Sequence, residues 1–506
     1  MAYSLTTWLA VLSFLWLLSK VARKPRHPPY PPSPKTPWPI IGNALHVPRL
    51  RPWLTYRTWG KENDNKIFHL EALGQHIIVL NDIDDAIELM EKRSSLYSDR
   101  PHMPLLSLMG MDINAGLLPY GDVWRQHRKV YQQGFRKEIV GSYHPIINEK
   151  CTKFLQRMMA QPEGLKEHSE FYTASIILSI VYGHEFDSSD DPILVTTKRA
   201  IELSSPEFVS GSLLINSFPV LLNIPKWLPG GGFHDVAAES RKALHDMVEM
   251  PYEVVMSRMQ SGDNKPSLLQ DLLEKQRAKG TYDISVLKNV AGIAFAAGVE
   301  TTETTLESLF LALAMYPEVQ KKARAEILRV IGTTRLPAFE DRPALPYIEA
   351  LCREVHRWRP AVPAGVPHAT THDDIYQGYF IPKGSLIFFN TWGMTQNQDI
   401  YPEPEVFKPE RFLDADGSLN DDDRHVVFGF GRRLCPGRHL AIDVIWLTAA
   451  RIIAAFELSN PRDPVTGQSI DLDVHQYTGD LFSHPPRYVC TIKPTGVAAL
   501  LRSDVI

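Results

Sequence analysis

Cysteine is scarce in this chain: Cys151, Cys352, Cys435 and Cys490 are the only four in 506 residues. They lie far apart and no two form a C-x-x-C pair, which argues against a zinc ribbon, a thioredoxin-like site or a disulfide framework. A surplus of one charge sign is also missing. The 54 Lys and Arg against 58 Asp and Glu leave a net charge of −4, so nothing points to nucleic acid as a partner. No N-x-Ser/Thr sequon occurs, in keeping with a body that stays out of the secretory lumen. No glycine-rich dinucleotide fingerprint follows a predicted strand, so no nicotinamide- or flavin-binding domain is built in. There is no internal repeat, and no flexible linker divides the chain into separate units.

What is present falls into three parts. In residues 1–22 the run AYSLTTWLAVLSFLWLLS carries no charged side chain. As a helix it spans about 28 Å, close to a ~30 Å hydrocarbon core. Lys20, Arg23, Lys24 and Arg26 follow it, whereas a cleaved signal peptide has its positive charges in front. The expectation is one N-terminal transmembrane helix, an uncleaved anchor with everything downstream in the cytosol. An interfacial amphipathic helix is the alternative. Residues 23–42 form a basic, proline-rich hinge. Pro28, Pro29, Pro31, Pro32, Pro34, Pro37 and Pro39 cannot continue a helix and favour extended backbone. Residues 43–506 form the folded body, and the chain's 44% apolar content is ample for a core.

The body reads as mainly α with a minor β-sheet. Lys66–Leu70 and His76–Leu80 flank Leu73-Gly74 and predict a hairpin. A second pair is expected at Asp374–Phe380 and Ser385–Asn390, joined by Ile381-Pro382-Lys383-Gly384. The stretch from Ser267 to Tyr316 contains no proline and reads as the longest helix. Its apolar part is long enough and apolar on enough faces to cross the middle of the molecule.

The most informative segment runs Phe428-Gly-Phe-Gly431-Arg-Arg433-Leu-Cys435-Pro436-Gly437. Its glycines permit tight backbone turns beneath a flat ligand. Pro436 suits the first position of a following helix. That places Cys435 at a helix N-terminus, where the dipole and loop N–H groups favour thiolate over thiol. A buried structural cysteine is the plainer reading of any lone Cys.

This segment resembles the heme-binding signature of the cytochrome P450 superfamily, the heme-thiolate monooxygenases. The resemblance extends over the chain and is similar to microsomal members of fungal specialised metabolism. It implies heme b with Cys435 as axial ligand, and Phe428, Gly431 and Gly437 in the cradle beneath it. Glu354 and Arg357, three apart on a helix, match the family's Glu-x-x-Arg pair, and Arg411 in PEVFKPERF matches its third member. Trp124 and Arg128, four apart on a helix expected to be capped by Asp122, present an indole N–H and a guanidinium suited to the heme propionates. The resemblance adds Arg100, His368 and Arg433 as propionate partners. In the long helix, Ala294, Ala297, Gly298 and Thr301 share a face small enough to leave room for O₂, and Thr301 can bond the Ala297 carbonyl. Cleaving an O–O bond consumes two protons, and Glu300 with Thr301 forms an acid–alcohol pair able to relay them.

The expected activity is insertion of one oxygen atom from O₂ into a hydrophobic small molecule, with a terpenoid-like substrate as the best guess. NADPH electrons would come from a separate flavoprotein reductase docked near Arg125, Arg128, Lys129, Arg432 and Arg438. Substrate-facing segments carried from the family are Met103–Leu118, Phe208–Leu222, Ala361–Val366 and Gly479–Phe482. A loop with Trp227 is expected to dip into the lipid bilayer. The implied location is the endoplasmic reticulum membrane, single-pass, with the catalytic domain facing the cytosol. A heme-thiolate isomerase or dehydratase acting without O₂, and a non-catalytic heme sensor, are the competing readings.

Overall fold

A computed structural model describes residues 27–206, 215–216, 218–263, 265–280, 282–424, 426–470, 476–479 and 481–502. The anchor expected at 1–22 lies outside these residues. Among the described residues the chain is mainly helical with three small sheets. The elements that build the site are, in order, β1 (Ile67–Ala72), β2 (Gln75–Leu80), α1 (Asp122–Phe135), α2 (Leu165–Tyr182), α3 (Phe233–Ser261), α4 (Ile284–Met315), α5 (Pro346–Trp358), β3 (His368–Ala369), β4 (Asp374–Tyr376), β5 (Tyr379–Ile381), β6 (Leu386–Phe389) and α6 (Arg438–Ala455).

The long helix is shorter than the proline-free stretch that contains it. Leu268–Lys279 is a separate helix, closed by Gly280 in left-handed conformation (φ 61°). Asp283 then caps α4 by accepting from the Ser285 N–H, and Pro317 begins the next helix. Two capping residues, rather than a proline, break the run. α4 is buried on most sides and crosses the interior against α2, whose segment Tyr172–Tyr182 is buried throughout. α4 alone, among the described residues, is long and apolar enough to cross a membrane, and it is a core helix of this body. α6 lines the same core with Trp446 fully out of solvent.

The first hairpin forms as expected, with Ile67 opposite Leu80 and positive φ at both Leu73 and Gly74 in its two-residue turn. The second pairing differs from expectation. Asp374–Tyr376 turns back at once on Tyr379–Ile381, because Gln377 (φ 50°) and Gly378 (φ 81°) make another tight turn inside the first predicted strand. β6 instead joins the main sheet, parallel to β2 and antiparallel to β3, giving the order β1-β2-β6-β3. This crossover fixes His368 beside the heart of the molecule. Residues 27–42 run along the same sheet: His69 donates to the Pro32 carbonyl at 3.0 Å, and the Tyr30 ring stacks on His69.

Candidate active site

Cys435 ends a loop folded back on itself, its N–H bonded to the Phe428 carbonyl at 2.9 Å. Gly431 (φ 54°) lies so close to Met90 that a Cβ there would sit 2.1 Å from the Met90 carbonyl oxygen. Only glycine fits at that position. α6 begins at Arg438 with Gly437 as its cap, so Pro436 stands two residues before the helix rather than at its first position. The tight Pro436-Gly437 turn takes up that space and lets the N–H groups of Gly437 and Arg438 point at the Cys435 sulfur. Burial outweighs those N–H groups and the nearby Arg128 and Arg438 charges, so the free thiol's pKa is raised overall and the expected preference for thiolate does not hold for the sulfur on its own. These donors favour a sulfur carrying negative charge, as a metal-bound thiolate does.

Behind the loop, Glu354 on α5 is fully buried and accepts from Arg357 Nε at 2.6 Å and Nη2 at 2.8 Å. Arg411 Nε adds a third bond at 3.2 Å, and the Lys408 N–H a fourth at 2.8 Å. Spare guanidinium hydrogens reach the carbonyls of Thr395, Pro404 and Pro402. This pins α5 to the segment leading into the Cys435 loop.

Cys435, Phe428 and Gly437 line a cavity of about 360 Å³, together with Arg100, Trp124, Arg128, His368 and Arg433. Trp124 and Arg128 come from α1. Its cap is Gly121, not Asp122; Asp122 sits one position later and pairs with Arg125 at 2.6 Å. The acid still complements the helix's positive end. Arg433 lies over the Trp124 ring, 4.5 Å from its centroid, and spends its N–H groups on the carbonyls of Ser98, Ala115 and Leu118. Arg100 is buried and bonds the carbonyls of Gly116, Val366 and Pro367. Arg128 makes no hydrogen bond or ion pair among the described residues. Burial lowers the pKa of all three arginines, Arg433 to about 10, and repulsion adds to it, from Arg433 on Arg100, from Arg438 on Arg128 and from Arg128 on Arg433. Three crowded cations without a carboxylate at ion-pair distance, among the described residues, form a site for a dianion. His368 differs: its Nδ1 donates to the Tyr97 carbonyl at 2.6 Å, and burial and Arg100 hold its pKa well below the usual value. As the neutral ring it offers Nε2 as an acceptor, so it donates to a carboxylate only when protonated.

The opposite wall is α4, through Ile293, Ala294, Ala297, Gly298, Thr301, Thr302 and Thr305. Thr301 Oγ1 donates to the Ala297 carbonyl at 2.8 Å. The Ile177 side chain of α2 lies against Gly298, where a Cβ would come within 3.1 Å of it. Ala361, Val362, Gly365 and Val366 complete the wall. Of the segment 103–118, only Asn114, Ala115 and Gly116 reach the cavity; Leu105, Leu106 and Met109 pack against Ala237 instead. Residues 207–214, 217 and 480 lie outside the described residues. Gly479 and Phe482 do not line the cavity, and Gly479 abuts Leu50. Glu300 is next to Thr301 in sequence, but its carboxyl group points to His484 Nε2, at 2.9 Å. Sequence reasoning missed His484, together with Lys166 and Glu307, which join it behind α4. Only the i, i+3 and i+7 spacing of Glu300, Glu303 and Glu307 on one helix hinted at a cluster.

These residues fit a flat, dianionic, iron-bearing ligand: a sulfur below, guanidinium groups at its edge and a small-residue helix face above. That is the site of a heme-thiolate protein. The family model for cytochrome P450 matches residues 31–475. Cytochrome P450 monooxygenase COX1 of Coprinopsis cinerea is 38% identical over 479 residues, 92% of each chain. Cytochrome P450 monooxygenase ple1 of Rhodocybe pseudopiperita is 38% identical over 462 residues, 90% of this chain and 88% of that one. Cytochrome P450 monooxygenase 208 of Postia placenta is 38% identical over 467 residues, covering 91% of this chain and 90% of its own length. The chain belongs to the cytochrome P450 family and is a monooxygenase, an oxidoreductase that works on a small molecule with heme iron, O₂ and a redox partner.

Proposed function

We propose that the chain is a membrane-anchored monooxygenase that inserts one atom of O₂ into a hydrophobic, terpenoid-like molecule, with NADPH electrons supplied by a separate flavoprotein reductase. The observation that carries this reading is the placement of the Cys435 sulfur and the Thr301 hydroxyl on the walls of one largely apolar cavity. When bound, heme iron held by the Cys435 thiolate supplies the activation of O₂. Arg100, Arg128, Arg433 and the Trp124 N–H hold the propionates, and Glu354, Arg357 and Arg411 keep the loop in place. Thr301, a cavity residue whose hydroxyl rests on the Ala297 carbonyl, would pass protons into the cavity once that bond opens, with Glu300 beside it as the acid although its carboxyl group faces His484. Ile176, Ile177, Ile293 and Val362 exclude water around the substrate and offer it few polar partners.

Residues 1–22 act as the anchor, 23–42 as the hinge and 43–506 as the catalytic domain, at the cytosolic face of the endoplasmic reticulum. Exposed apolar side chains at Trp38, Ile40, Leu45 and Leu50, and at Val220, Trp227 and Leu228, support a lipid-facing side. Arg125, Lys129 and Arg432 are exposed, as a reductase-docking face requires. The presence of both Glu300 and Thr301 favours O₂ chemistry over an isomerase or a sensor.

The test is co-expression with a reductase in a host fed candidate terpenes, read by mass spectrometry. Products heavier by one oxygen atom, dependent on NADPH, support the reading. Turnover without NADPH and O₂ contradicts it.

A further inference from the structure

The cavity leaves a second cluster, on the far side of Glu300, without a role. His484 lies between two carboxyl groups of α4: its Nε2 is 2.9 Å from Glu300 Oε1 and its Nδ1 is 2.7 Å from Glu307 Oε2. Lys166 of α2 donates to the other Glu307 oxygen at 2.8 Å and lies 3.8 Å from Glu303. Glu307 and Glu303 are nearly closed to solvent, whereas the Lys166 side chain is 40% exposed. Lys166, Glu307, His484 and Glu300 thus form one continuous chain of contacts that ends beside Thr301, with Glu307 its most buried member and the Glu300 side chain 26% exposed.

The loop that carries His484 is fixed independently. The His484 N–H donates to Thr478 Oγ1 at 3.0 Å, Thr478 donates from its N–H to the His484 carbonyl at 2.9 Å, and the Ser483 N–H donates to the carbonyl of Ala361, a cavity residue. Thr304, Tyr477 and Tyr488 face the same cluster, with Arg359 behind Tyr477. A ring bonded at both nitrogens by carboxyl oxygens must donate from both, since a carboxylate only accepts.

We propose that His484 is a positioning residue for proton delivery, holding the Glu300 carboxyl group and recharging it from Nε2. The inference rests on the reading of Glu300 and Thr301 as the relay. In the step, the Nε2–H bond breaks and an O–H bond forms at Glu300 Oε1. The ring stays anchored by Nδ1–H to Glu307, and a proton from bulk water restores Nε2. Burial works against the imidazolium, but Glu300 and Glu307 outweigh it and raise the His484 pKa to about 9. The ring is thus charged at neutral pH but a weak acid, so it gives up its proton only as Glu300 loses its own to the cavity.

The test uses the full-length enzyme with reductase and NADPH, with O₂ alone as the probe, and reads hydrogen peroxide released per NADPH. His484→Gln is expected to raise the peroxide yield roughly tenfold, less than the ~100-fold or more of a lost general acid because Glu300 and Thr301 remain. In the wild type the yield should climb as pH passes about 9, and in His484→Gln it should be flat with pH. A readout independent of turnover is the unfolding midpoint: the wild-type advantage over His484→Gln should shrink between pH 6.5 and 9. An unchanged peroxide yield, with heme content intact, overturns the proposal. Glu300→Gln separates the causes. If it raises peroxide and His484→Gln does not, only the role of His484 falls; if neither does, the relay falls with it. Should His484→Gln lose heme, Glu307→Gln removes one of the two groups that keep His484 charged, and the pH of onset should drop. An onset that stays put overturns the proposal.

Discussion

The Arg357 guanidinium grips the Glu354 carboxylate through two bonds, at 2.6 and 2.8 Å, and neither side chain is more than 3% exposed. A buried pair of this kind contributes little net stability over an apolar substitute, but half of it is very costly. Arg357→Ala leaves Glu354 with only Arg411 and the Lys408 N–H. The expected cost is about 3–5 kcal/mol, seen as a lower unfolding midpoint and a loss of heme-loaded protein. A variant as stable as the wild type would show that the pair does not lock α5.

Gly431 and Gly467 share the left-handed backbone region but differ in surroundings. A Cβ at 431 meets the Met90 carbonyl, while one at 467 meets nothing within 4 Å. Gly467→Ala should cost about 1 kcal/mol and bind heme normally. Gly431→Ala should prevent the Cys435 loop from closing, and purified protein should be nearly free of heme.

Arg128 is the cation on the cavity wall that carries no partner among the described residues, so an incoming carboxylate gains its full bond. Arg128→Ala should weaken heme retention by about 1.5–3 kcal/mol. Transfer of heme to an acceptor protein should speed up by roughly ten- to a hundredfold, with Arg128→Lys in between. Equal transfer rates would remove Arg128 from the propionate site.

Glu303 is buried beside Glu307, and burial first, then that neighbour, raises its pKa to about 8. The folded state therefore binds a proton that the unfolded state releases above about 4.5. Stability should fall as pH rises from about 4.5 to 8. Glu303→Gln removes the penalty: its unfolding midpoint should match the wild type near pH 4 and exceed it at pH 8.5. An equal difference at both values would show that Glu303 is not held protonated.

The Cys435 loop, the Glu354–Arg357 pair and the small-residue face of α4 were legible in the sequence because each depends on fixed spacing within one element or loop, whereas Arg411, 57 residues beyond Glu354, was joined to the pair only by the family resemblance. The split of the Ser267–Tyr316 stretch was signalled by Gly280 and Asp283, but an apolar run on both sides obscured it. The β6 pairing was not readable, since a parallel partner some 300 residues away leaves no local pattern. Pro436 was misplaced by two residues because a proline fits both a helix start and the turn before it. His484 was invisible for the same reason as β6: its carboxyl partners are 177 and 184 residues away.

Binding of heme iron by the position-435 sulfur is tested by the difference spectrum of reduced enzyme with and without carbon monoxide. The wild type should show the red-shifted band of thiolate-ligated heme, and Cys435→Ala should lack it while its folded helical content persists. The same band in Cys435→Ala, or its absence from heme-loaded wild type, would contradict the claim.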